Sequence, residues 1–433
     1  MADAVNTLSA LGNSLKIGYS PEYMEAQTNF NAPLLKKIDT LKKLPQNGKS
    51  FDWEFAFNTP QVLGSPGDGG AVPTKRARVS VAGSVNVGTF AGGFDITAIA
   101  EAVGTESGSF NGSAVKRAAR EAIEDVTKHQ NRIYAGTHGT GRLAQVEATT
   151  DTLTTFVCKL PLGSLLLRKN MSIQIYDADT GSGTQRGSGP FTISKIVAST
   201  RTVTIPTAIT VTADDHVYLG GDYGSAKIPN GLRGIVDDGT NLTSLHGVSR
   251  ATYEEMKSVV LSNSGTKRDL TEDLLVDLAH GVRQKSGRSI NLLVMNFGQL
   301  AKYLKFVRAD RRFNVNGAGV IKGDTGYKSL PTFYLAGQEV EILPSEDVAP
   351  REVYGLDTTQ IRRIQARKLG WYEPNGSMFQ QSIATGGAGF AYSKEANLLG
   401  LENLATYMPG AHGRIEDLND KQLCGSSVGG SDL

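Results

Sequence analysis

The chain has 433 residues, enough for about two or three domains and a sizeable core, and its 45 basic and 43 acidic residues leave a formal net charge of +2. That balance excludes a dedicated nucleic-acid binder, which carries a strong basic excess on one face, though the chain could still sit beside nucleic acid. Cys158 and Cys424 lie far apart and match no metal spacing, which argues for a reducing compartment or a fold that does not rely on disulfides. The first fifteen residues lack a basic start followed by an apolar run, and no stretch of eighteen apolar residues could span a bilayer. A soluble protein made in the cytoplasm, with no membrane partner, is the expectation.

Residues 1–26 are small and polar and read as a loosely held arm. From Phe30, Leu34, Leu35, Ile38, Leu41 and Leu44 follow helical spacing, with Pro33 suited to the first turn and Pro45 to the stop. Lys36, Lys37, Lys42 and Lys43 fill the other face, which is either a solvated surface or one turned towards nucleic acid.

Phe51 to Thr97 reads as a long ribbon. Phe51, Trp53, Phe55 and Phe57 alternate with Asp52, Glu54 and Ala56, and the return arm repeats the period through Val79, Val81, Val85 and Val87. Between them lies a glycine-rich tip, Gly64-Ser-Pro-Gly-Asp-Gly-Gly70, with too few apolar residues to pack. A two-stranded arm of this length is marginal alone in water, so a second copy of the chain is expected to cover it. Phe55 and Val81 are the apolar residues expected between copies. Lys75, Arg76 and Arg78 are expected to pair with a neighbour's Glu121 or Glu124.

Those acids belong to a long helix over 112–135, striped by Val115, Ala118, Ala119, Ala122, Ile123, Val126 and Ile133. Ser109 or Asn111 could cap its start and Gly136 end it; at about 1.5 Å per residue it is about 36 Å long. Over 145–231, short alternating strands separated by turn residues predict a small all-β unit, with Phe156, Leu160, Ile173, Ile175 and Val203 as core. Thr271 is placed to cap a helix striped by Leu274, Leu275, Leu278 and Val282, with a Leu270–Leu275 staple and Gly287 as the stop. A buried strand over 290–295, a helix through Leu300, Tyr303, Leu304 and Val307, and strands near 340–343, 361–364 and 389–408 follow. The tail from Asp417 is expected to be disordered.

No catalytic, cofactor-binding or metal-ligating set emerges. Asn47-Gly-Lys-Ser50 lacks the glycine a phosphate loop needs five residues before Gly48, and Asp177 and Asp179 begin a calcium loop that is not completed. The histidines show no paired metal spacing, and no nucleophile elbow is present. Such an inventory fits a protein whose function is its shape, not an enzyme.

This order of elements resembles the major capsid proteins of tailed bacteriophages, with the α+β Hong Kong 97-type fold. The closest local likenesses are Gly104 to Gly141, similar to that family's spine helix and glycine-rich exit, and Gly231-Leu-Arg-Gly-Ile-Val-Asp237, similar to a segment re-entering the main domain after an inserted domain. The resemblance implies an N-terminal arm (1–48), an extended loop (49–98) and a peripheral domain with the spine helix (99–144). An inserted β domain (145–231), an axial domain (232–345), the peripheral return (346–416) and a flexible tail (417–433) would follow. It further implies hexamers and pentamers of the chain itself in an icosahedral virion shell around double-stranded DNA, held by non-specific contact. A scaffolding protein, a portal and a decoration protein are the implied partners.

Some relatives lock the shell with isopeptide bonds between a loop lysine and an asparagine. Here Lys49 or Lys75 with Asn375 or Asn397 would be the candidates. Lys75 sits in a wet, glycine-flanked stretch that does not promise the required desolvation, so a non-covalent shell is expected. Two alternatives stay open: an encapsulin-like compartment of the same fold, and a β-rich phage tail or surface binding protein using 145–231.

Overall fold

A computed structural model describes residues 33–38, 40–41, 50–58, 65, 67–71, 79–98, 114–137, 139–179, 183–224, 228–309, 333–335, 338–373, 376–383 and 390–419. The described chain divides into two compact units, one built from 88–131 and 365–402, the other from 33–87, 132–364 and 403–419.

In the first unit, strand Gly88–Thr97 pairs antiparallel with strand Phe390–Thr406, from Thr97 opposite Ser393 to Gly88 opposite Glu402. Phe379–Ile383 pairs with the start of the same long strand. Phe90 and Ile96 are buried on one face of Gly88–Thr97, and Gly92 lies so close to the helix Ala114–Gly136 that a Cβ there would sit 2.3 Å from Val126 Cγ2. The glycine thus sets how near helix and sheet can approach. Sequence periodicity assigned 88–97 to the ribbon. The structure corrects this: the ribbon ends at Asn86, and the following strand is a sheet member with ten partners on Phe390–Thr406. The helix itself is where the stripe predicted it, with Ala122 and Val126 buried; both candidate caps, Ser109 and Asn111, fall outside the described residues.

The second unit holds three structures in series. The first is the ribbon, Ser50–Asn58 with Val79–Asn86. The second is a β unit of two small sheets. One orders Thr150–Val157, Thr202–Val211 and Lys195–Val197; the other orders Ala144–Gln145, His216–Leu219, Ser172–Tyr176 and Phe191–Thr192. Phe156, Ile173, Ile175 and Val203 are buried as expected, and Leu160 is half-buried.

The third is a six-stranded mixed sheet whose central strand, Leu292–Met295, is buried at every position. Parallel pairing to Gln338–Pro344 on one side and antiparallel pairing to Val353–Leu356 on the other explain why this run is wholly apolar. The helices Glu272–Ser286 and Phe297–Ala309 pack on the sheet through Leu275, Leu278, Val282, Leu300 and Tyr303. The Thr271 hydroxyl accepts the Leu274 N–H, and Gly287 ends the first helix at φ +70°, in the left-handed region a C-terminal glycine suits.

Two expectations near the ends change. The first helix covers only Pro33–Lys37; Thr40 and Leu41 instead pair parallel with Arg363 and Ile364. A twelve-residue helix is marginal in water, and a strand edge nearby offers backbone partners that outweigh a weak local preference. At the other end, the chain from Asp417 to Asn419 is docked. The Asp417 carboxylate accepts from Ser262 and from the N–H groups of Asn263 and Gly265, while Leu418 is fully buried in the core of the six-stranded sheet.

Candidate assembly site: the seated ribbon and a buried charge network

The ribbon strands pair antiparallel from Ser50 opposite Asn86 to Phe55 opposite Val81, with a bulge before Asn58. Odd residues of the first strand turn inward, and the even residues Asp52, Glu54 and Ala56 are exposed with Ser80, Ala82 and Ser84 opposite them. Phe55 is only 5% exposed. A Cβ on Gly83 would lie 2.3 Å from the Phe55 ring, so glycine there lets the ring lie flat across the partner strand.

The chain covers this aromatic face itself. Trp53 meets His246 edge-on at 5.2 Å and Tyr407 at 5.9 Å, while Phe57 stacks on Tyr253 at 4.8 Å. The Ser84 N–H donates to the His246 carbonyl at 2.9 Å, and the Asn403 amide donates to the Asn86 carbonyl. Phe55, expected between copies, is already buried within one copy, its ring parallel to that of His246 at 6.5 Å. Val81 is half-buried. Lys75, Arg76 and Arg78 lie outside the described residues. On the long helix, Glu124 accepts from Arg120 one turn earlier at 2.8 Å, and Glu121 is half-buried and also engaged.

His246 reaches the ribbon because the hairpin Ser244–Ser249 turns tightly. His246 and Gly247 both take positive φ, 53° and 79°, which a two-residue hairpin turn of the primed kind requires. His246 Nε2 accepts the Thr406 N–H at 3.2 Å, so the ring is neutral with its proton on Nδ1. Burial, helped by Arg250, pushes its pKa down to about 3. His412, fully buried, accepts the Asp357 N–H at Nδ1 and donates from Nε2 to the Thr406 hydroxyl at 2.9 Å; burial pushes it down to about 4 against the pull of Asp357. Thr406 therefore ties the two neutral histidines together.

Beneath the hairpin lies a charge network that starts in Gly231-Leu-Arg-Gly-Ile-Val-Asp237. The fully buried Asp237 accepts at Oδ2 from the N–H groups of Gly239, Asn241 and Leu242 at 2.9–3.1 Å. At Oδ1 it accepts from the Asn241 amide at 2.8 Å and from Arg414 at 3.2 Å. Arg250, also fully buried, sits 3.5 Å from Oδ2 and donates to the carbonyls of Gly234, Ile235, Leu242 and Met256. Burial alone would raise the Asp237 carboxyl, but the Asn241 amide, Arg414, the Leu242 N–H and Arg250 outweigh it and hold it below the usual carboxylate range.

The network extends through Arg414 to Glu416 and through Arg233 to Glu352, which also accepts from Tyr354 at 2.6 Å. Such charges persist in a core only when paired and fully hydrogen-bonded, so the network fixes one arrangement of the segments it joins. Sequence reading singled out the 231–237 segment but missed the histidines and Arg250, which carry no local motif.

Among the described residues no group of three His, Cys, Asp or Glu could hold a metal. Burial pushes the Cys158 thiol up to about 12, where it is unreactive. No described helix is long and apolar enough to cross a membrane. Of the candidates for covalent linkage, Lys49, Lys75 and Asn375 lie outside the described residues, and Asn397 sits within the long strand of the first unit, its carbonyl accepting the Tyr372 N–H.

The structure matches a capsid chain of cyanophage A-1(L) with a TM-score of 0.57 at 12% identity, covering 95% of this chain and 99% of that one. Its fold is that of a phage capsid subunit. Further matches are to the capsid of a native GTA particle (TM-score 0.48, 9% identity, 96% and 100% of the two chains) and to the encapsulin of the holo-SrpI complex of Synechococcus elongatus (0.43, 9%, 97% and 98%). No protein-family model and no curated protein matches the sequence.

Proposed function

We propose that the chain is the major capsid protein of a tailed phage, with the Hong Kong 97-type fold. Copies assemble into hexamers and pentamers, and these into an icosahedral head shell enclosing double-stranded DNA. The observation that carries this reading is the fold shared with the cyanophage capsid chain over nearly the whole of both chains. In this reading the ribbon is the extended loop, 88–131 with 365–402 the core of the peripheral domain, 145–231 the inserted β domain and 232–345 the axial domain. The ribbon's exposed outer face and the stretch with Lys75, Arg76 and Arg78 meet neighbouring copies, with Glu121 and Glu124 among the acids they approach. A separate scaffolding protein, a portal and a decoration protein complete the set, and the protein is made in the host cytoplasm before entering the virion.

The test is sedimentation and electron microscopy of the chain co-expressed with its neighbouring genes, followed by extraction of the particle contents. Closed shells holding DNA are expected. Shells filled with a protein cargo would mean an encapsulin-like compartment, and a persistent monomer would sink both.

A further inference from the structure

Aspartate is followed by glycine at two places in the chain, Asp68-Gly69 and Asp238-Gly239, and the fold treats the two bonds in opposite ways. Such a pair is prone to close on itself, because a glycine without a Cβ leaves its backbone nitrogen open to the side chain before it. The surroundings then decide which bond reacts.

At the ribbon tip, Gly67 to Gly70 form a turn closed by the Gly70 N–H, which donates to the Gly67 carbonyl at 2.8 Å. Gly69 holds the third position at φ +75°, as a type II turn requires. Asp68 and Gly69 are exposed, and a Cβ built on Gly69 would meet nothing within 4 Å. Among the described residues neither the Asp68 carboxylate nor the Gly69 N–H has a hydrogen-bond partner. Nothing described there resists rotation of the Asp68 side chain onto the nitrogen that follows it.

At Asp238 both groups are engaged. The Gly239 N–H donates to the buried Asp237 carboxylate at 2.9 Å, and Asp238 Oδ1 accepts the Thr240 N–H at 3.0 Å. Asp237 also holds the N–H groups of Asn241 and Leu242 and pairs with Arg250 and Arg414, so this loop cannot rearrange without loosening the charge network.

We propose that Asp68 is a site of spontaneous backbone isomerisation to isoaspartate and that Asp238 is protected from it. The Gly69 nitrogen attacks Cγ of the protonated Asp68 carboxyl. The N–Cγ bond forms, a Cγ–O bond breaks, and the hydroxyl leaves with the amide proton as water. The cyclic imide then takes up one water. Opening at Cγ restores aspartate; opening at the α-carbonyl leaves the main chain running through Cγ and the α-carboxylate free. The product has the mass of the starting chain, carries one extra carbon in the backbone of the turn, and is a substrate for carboxyl methyltransferases that recognise isoaspartate. The inference does not depend on the shell reading.

The test follows the full-length, unassembled chain over weeks at neutral pH, folded and in concentrated urea. Samples are labelled with an isoaspartyl methyltransferase and a labelled methyl donor, then mapped peptide by peptide. In the folded chain, label should accumulate on the peptide holding Asp68 and stay absent from the peptide holding Asp238. In urea both peptides should take it up alike, because only the fold distinguishes them. Asp68→Glu, whose longer side chain must close a larger ring, should lose the label at the tip while melting as the unaltered chain does. Equal labelling of the two peptides in the folded chain overturns the proposal, as does a tip that labels in urea but not when folded.

Discussion

Acidification from pH 7 to pH 5 should remove about 4 kcal/mol of stability, nearly all of it through two histidines. His246 and His412 are 6% and 0% exposed, and their rings are held neutral, at about 3 and about 4. In the unfolded chain each titrates near the ordinary value of about 6.5. Because the folded values are depressed, the stability they contribute is fully present above the unfolded value and is lost as pH falls towards the folded one.

At pH 5 the unfolded chain binds both protons and the folded chain neither, a gap of about 1.5 pH units per histidine, or about 2 kcal/mol each. His216, also depressed by burial, adds a term of the same sign, while Glu416, raised by burial, opposes it only weakly above pH 5. The depressed carboxyls of Asp237, Asp269 and Asp417 lose their contribution only below the usual aspartate range, outside this window. Urea unfolding of the unassembled chain at pH 7, 6 and 5, alongside the double variant H246Q/H412Q, measures the effect. The variant should be less stable at pH 7 and much flatter with pH. Equal slopes in both proteins would refute the assignment of neutral, buried rings.

The remaining predictions concern single sites and the particle. Asp237→Asn should cost about 3–5 kcal/mol, because it leaves Arg250 and Arg414 buried without their shared anion; a melting temperature within a degree of the unaltered chain would contradict the network's role. Gly231→Ala should cost about 1–3 kcal/mol or more, since its Cβ would lie 2.3 Å from the Thr137 carbonyl and 2.5 Å from that of Ile133, backbone atoms that cannot swing aside; soluble yield and melting report it. The fragment 140–224 should melt cooperatively with a β-type circular dichroism spectrum, and a random-coil spectrum would show that its two sheets depend on the rest of the chain. Mature particles boiled in detergent and reductant should run as one band near 46.1 kDa, and a surviving ladder would reveal covalent cross-links.

What the sequence revealed follows from what local periodicity can encode. The ribbon's alternation and the capped helix from Thr271 to Gly287 are short-range signals, and both appear where they point. Periodicity reports that an element has an apolar face, not what covers it. Phe90, Phe94 and Ile96 alternate along their strand as Phe51, Trp53 and Phe55 do along theirs, yet the first set lies in a sheet of one unit, while on the ribbon Trp53 and Phe55 meet His246 of a hairpin in the other. The covering residues His246, Tyr253 and Tyr407 lie some 190 to 350 positions along the chain from the ribbon and share no motif with it.

The tail shows the same limit: a glycine- and serine-rich end hid one leucine, Leu418, that fills a gap in the main core. Burial of the ribbon's aromatic face within one copy changes what assembly must supply. A second copy need not hide those phenylalanines from water. The ribbon's outer face, with Asp52, Glu54 and small residues, stays exposed, and ion pairs made there would be weak per contact and sensitive to salt. In the proposed shell, contacts through that face would gain their stability from number rather than from any one buried anchor.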